Sequence, residues 1–118
     1  MTTKTVVVGS DDEIEIIILD QSLADDENPD GVAIDFVANG VTEMTITFNG
    51  NTFSSNNGEI SYEDEGKIKL RLGMIDAAAY VKFRAYPATI KAISSQFPNG
   101  QTVVAESNVD SSLSLVFR

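Results

Sequence analysis

Apolar and polar residues alternate with a period of two along most of this chain, the spacing of a strand that buries one face. The clearest run is Glu43–Phe48, where Met44, Ile46 and Phe48 point one way and Glu43, Thr45 and Thr47 the other. Glu13–Leu19 repeats the pattern with Ile14, Ile16 and Ile18 against Glu13 and Glu15. Lys67–Leu72 repeats it again, with Ile68, Leu70 and Leu72 against Lys67, Lys69 and Arg71. Val32–Ala38 sets Val32, Ile34 and Phe36 on one side, and Glu59–Glu63 sets Ile60 and Tyr62 inward. Over Tyr80–Tyr86 the pattern predicts a strand with Val81, Phe83 and Ala85 on one face and Tyr80, Lys82, Arg84 and Tyr86 on the other. Lys4–Val8, Thr102–Ala105 and Leu113–Phe117 complete the predicted strands. Gly73–Ala79, with three consecutive alanines, reads as a short helical or 3₁₀ corner. Pro87–Phe97 stays open. Ile90, Ile93 and Phe97 have helical spacing, so a short helix near 88–97 competes with a strand and a loop.

Four Asn-Gly pairs punctuate these runs, at residues 39–40, 49–50, 57–58 and 99–100. Asn and Gly enter the left-handed backbone region most cheaply, and a type I′ turn needs that region at both central positions. Asn49-Gly50 joins Glu43–Phe48 directly to Asn51–Ser54, which predicts a tight hairpin. About eight or nine short strands at near-regular spacing predict a two-sheet sandwich or a small barrel. One apolar and one polar face per strand favours the sandwich. The 118 residues form one domain, 1–118, since halving the chain leaves pieces too small for a core.

Composition narrows the chemistry. The chain has no cysteine and no histidine, which removes disulfides, thiolates, the commonest general base and the commonest metal ligand. Ser-His-Asp and Cys-His catalysis are excluded on that ground, and the expectation is a protein that is not an enzyme. No apolar run is long enough to predict a membrane span. Val6-Val7-Val8 is too short for a signal-peptide core, so cytoplasmic synthesis without a cleaved signal is expected. The net charge is −10 and unevenly coded: residues 1–66 carry −14 and residues 67–118 carry +4. A chain this acidic is repelled by nucleic acid and anionic membrane, so the expected partners are proteins. The uneven coding reads either as an electrically polar domain that docks end to end, or as a solubilising surface whose halves interleave on folding.

Asp26-Glu27-Asn28-Pro29-Asp30-Gly31 spaces oxygen ligands Asp26, Asn28 and Asp30 as in the first half of an EF-hand calcium loop. The second half is missing, because Val37 stands where the bidentate glutamate belongs. These three residues are the metal candidates, for Ca²⁺, against a solvated acidic loop with an Asp-Gly turn, and no other cofactor is expected. The acid runs at residues 11–13, 25–27 and 63–65 read as solvated turns, since glycosidase chemistry needs carboxyls facing across a cleft. Lys67, Lys69, Arg71, Lys82 and Arg84 lie on predicted outward faces and form a basic interaction stripe if their strands share a sheet. Tyr80 and Tyr86 on the face of Lys82 and Arg84 are either a stacking platform or rings at the core rim.

Asp76-Ala77-Ala78-Ala79-Tyr80 resembles the Asp-x-Ala-x-Tyr segment that opens strand F of immunoglobulin-type domains, where the tyrosine closes a corner. Lys82 stands where antibody domains carry a cysteine, and no tryptophan is present, so the resemblance is to the general sandwich. The region from Lys67 onward also resembles small immunoglobulin-like proteins of tailed phages and prophages. The matching residues are Lys67–Gly73, Tyr80–Tyr86, Pro98-Asn99-Gly100 and Thr102–Ala105, with Ala88–Phe97 as an insertion. The resemblance implies an immunoglobulin-like antiparallel β-sandwich and a structural, tail-associated role in a virion. Its partners would be other virion subunits or further copies of itself. A carbohydrate- or calcium-binding adhesion module is the alternative.

Overall fold

The computed structural model describes residues 2–20, 25–29, 31–63, 65–104 and 113–118. Eleven strands lie among them: β1 Thr2–Val6, β2 Ile14–Ile17, β3 Leu19–Asp20, β4 Val32–Ala33, β5 Val41–Phe48 and β6 Asn51–Ser54. Then follow β7 Ile60–Tyr62, β8 Lys67–Leu70, β9 Ala85–Ser94, β10 Gln101–Val104 and β11 Leu113–Phe117. The predicted second strand contributes two of the eleven, because its end pairs separately as the two-residue β3. The expected all-β sandwich forms. A larger sheet runs β1-β11-β9-β5-β6 with β10 also on β9, and faces a smaller sheet β2-β8-β7. All pairings are antiparallel except β1 with β11.

β9 organises the larger sheet. One edge pairs with β5 from Thr47↔Thr89 to Val41↔Ser94, while the other pairs first with β11 and then with β10. The segment open between helix and strand is therefore strand. Its buried positions are Tyr86, Ala88, Ile90, Ala92 and Ser94, a period of two carried mostly by small residues. Alanine and serine give little apolar contrast, so the half-buried Ile93 and exposed Phe97 simulate a helical spacing.

Met44, Ile46 and Phe48 are buried as the alternation predicts, and share one core with Ile16, Ile60, Ile68, Leu70 and Leu72. An aromatic cluster closes one region of the core. Phe117 stacks on Tyr80 at 4.3 Å and 13°, and lies 5.4 Å from Phe48.

Two predicted strands are cut short. Val32–Ala38 pairs only at Val32 and Ala33, and 36–40 is a turn. The Asp35 carboxylate accepts from Ala38 N at 2.9 Å and the Asp35 carbonyl from Asn39 Nδ2 at 2.7 Å. Such local bonds offer the backbone an alternative to the ladder. Tyr80–Tyr86 is not a strand before Ala85, and its residues do not divide into two alternating faces. Tyr80 and Tyr86 are buried, the core-rim reading of the two rings, whereas Val81, Lys82, Phe83, Arg84 and Ala85 are all exposed. The extended chain is broken at Phe83, whose φ of 65° lies outside the extended region. The corner before it forms as expected, a 3₁₀ turn at Ala77–Ala79 capped by Asp76, whose carboxylate accepts from Ala78 N at 2.9 Å.

Candidate functional site

Three surface features carry chemistry, beginning with the outer face of the smaller sheet. β8 is its central strand, with Glu15 opposite Lys69 and Ile17 opposite Lys67 on β2. Ser61 of β7 faces Lys69 from the other side. Lys69 Nζ lies 3.0 Å from Glu63 and 4.0 Å from Glu13. Arg71 Nε lies 3.0 Å from Glu13, and Lys67 Nζ 3.8 Å from Glu65. Hydrogen bonding to Lys69, and then the charge of that lysine, holds the Glu63 carboxyl below the ordinary glutamate range. The same contact raises Lys69. Lys67, Lys69 and Arg71 thus form a cationic column between two acidic ones. The charge asymmetry along the chain is interleaved by strand pairing, because β2 comes from the acidic half and β8 from the basic half.

Lys82 and Arg84 lie elsewhere, on the loop before β9, so the five basic residues do not share a sheet. This loop is the second feature. Phe83 is 77% exposed and Val81 57% exposed, with both basic side chains also in solvent. The loop is nonetheless fixed. Phe83 N donates to Phe117 O at 2.7 Å, and Val81 N to the Tyr86 hydroxyl at 2.6 Å. The Arg84 guanidinium sits 5.8 Å above the Tyr86 ring. Among the described residues, neither Lys82 nor Arg84 forms an ion pair. Alternation alone misplaced Phe83, although its phase held the signal. Tyr80 and Tyr86 share parity with Lys82 and Arg84, so a straight strand must expose two tyrosines or bury two charges.

The third feature is a cleft of about 680 Å³ between the 10–11 loop, the 3₁₀ turn Ser55–Asn57 and the 71–76 segment. Phe53, Met74 and Ile75 supply an apolar wall, while Asp11, Glu59 and Asp76 supply carboxylates. Arg71 also lines it, with its charge engaged by Glu13. Glu59 Oε2 is buried without a hydrogen-bond partner. Next to the cleft in the chain, between Arg71 and Met74, the Gly73 carbonyl accepts from Gly9 N at 2.8 Å. A Cβ there would stand 2.1 Å from Ser10 O and 2.7 Å from Val7 O. Sequence reading did not find this cleft, since its residues come from four separate segments.

The metal candidates are only partly placed. Asp26 and Asn28 are exposed, and Asp30 lies outside the described residues. Neighbouring Asp25 organises the loop instead, its Oδ1 accepting from Glu27 N at 3.0 Å and Asn28 N at 2.7 Å. Asn28 Nδ2 also points to that oxygen, at 3.4 Å. Among the described residues, no three acidic side chains are grouped to hold a metal ion. None of their helices is long and apolar enough to cross a membrane. No protein-family model matches the chain, and no curated protein matches it.

Proposed function

We propose that this chain is a non-enzymatic docking module, a structural component of a phage or prophage virion associated with the tail. The observation that carries a docking role is Phe83. A bulky residue at positive φ is a backbone outlier, and a large aromatic ring in solvent forgoes burial. Such strain persists where surrounding structure holds it, and it concentrates at binding sites. Here the hydrogen bonds to Phe117 and Tyr86 hold the loop. The resemblance of residues 67–105 to phage sandwich proteins supports the assembly class.

Two results test this reading together. Mass spectrometry of purified virions should find the chain at a fixed stoichiometry, and its gene should lie among capsid, portal or tail genes. A chain absent from particles and coded among unrelated genes would sink the virion assignment.

A further inference from the structure

We propose that the Val81–Arg84 loop of one molecule docks in the cleft of a second copy of this chain. Phe83 enters between Phe53, Met74 and Ile75, and Lys82 and Arg84 meet Asp11, Glu59 and Asp76. The inference rests on the assembly reading and extends it by naming the partner and both halves of the contact.

The two surfaces are complementary in charge, and each has an apolar centre. The loop is an apolar knob with a cation before and after Phe83 in the chain, and among the described residues neither cation forms an ion pair. The cleft has room for an aromatic side chain, at about 680 Å³, and carries three carboxylates. Its one base is engaged by Glu13. Phe83 does not line the cleft of its own molecule and is 77% exposed. An aromatic anchor in a pocket, ringed by complementary charge, is the usual composition of an interface hot spot. The cations on β8 are poorer candidates, since Glu13, Glu63 and Glu65 already neutralise them. Knob and socket are different patches, so repeated docking builds a head-to-tail series, which closes into a ring or continues as a filament.

Sedimentation velocity on the full chain, up to about 1 mM protein, tests the contact. The wild-type chain should associate with rising concentration, more weakly at about 0.5 M salt than at about 0.05 M. Phe83→Gly should weaken association on the order of thirtyfold or more, the loss expected for a hot-spot aromatic. Its melting temperature should not fall, since glycine accepts the positive φ freely. Met74→Arg changes a residue 70% exposed and places a cation at the socket, so it should also remain folded and monomeric. Mixing the two variants leaves one intact knob and one intact socket, and should give a 1:1 complex and nothing larger. A wild-type chain monomeric throughout, or a mixture without the 1:1 species, overturns the contact. Association unchanged in both variants also overturns it but leaves the assembly reading standing. Association that follows the expected pattern in a protein absent from virions does the reverse.

Discussion

Gly73 is buried where the 9–10 loop meets the segment after β8, with two backbone carbonyls in the place a methyl group would occupy. Neither carbonyl belongs to a flexible side chain, so Gly73→Ala must move backbone. The expected loss is about 2–3 kcal/mol in urea unfolding, the range of overpacked sites. A midpoint unchanged from wild type would show that the loop yields freely. Glu63 and Lys69 give a second test at this scale. The depressed Glu63 contributes stability above the ordinary glutamate pKa, lost as pH falls through its lowered value. The raised Lys69 contributes below the ordinary lysine pKa, lost as pH rises through its raised value. The pair is therefore constant near neutrality and weakens in acid and in alkali. In a carboxyl NMR titration, Lys69→Met should return the Glu63 midpoint upward, and an unmoved midpoint would show that the lysine is not the cause.

Among elements, the β5–β6 hairpin shows how far local chemistry reaches. Asn49 (φ 50°) and Gly50 (φ 75°) are both left-handed, as a type I′ turn requires, and the ladder closes at Phe48↔Asn51. At the other three Asn-Gly pairs only the glycine has positive φ. Asn49 also reaches outside its hairpin, its Nδ2 donating to Ala79 O at 3.1 Å. Asn49→Ala should destabilise by about 2 kcal/mol, from the left-handed backbone and the lost hydrogen bond together. Asn49→Gly removes only the bond and should cost about 1 kcal/mol. Equal losses in chemical denaturation would remove the backbone component. This hairpin was legible because its turn and both strands agree locally. β9 was not, because its register depends on β5, β11 and β10, which approach from distant parts of the chain.

On the scale of the whole molecule, a net charge of −10 sets the balance of surface forces. The four ion pairs on the smaller sheet involve side chains partly or largely in solvent, and pairs of that kind contribute little. Self-repulsion among the excess acids disfavours the compact state, and salt screens it. The melting temperature of dilute protein should therefore rise between about 0.02 and about 0.5 M sodium chloride. A fall would show that the ion pairs outweigh the repulsion.

The sequence by itself determined the class of structure, the buried faces of β5 and β8, and the turn at Asn49-Gly50. Each depends on residues adjacent in the chain, where a period of two or a turn dipeptide is sufficient. Tertiary structure decided the strand character of 88–94, the break in the extended chain at Phe83, and the neutralisation of β8 by Glu13 and Glu63. It also assembled the cleft from residues as far apart as Asp11 and Asp76. Those outcomes depend on which distant segments become neighbours, and alternation records only that a residue is buried or exposed.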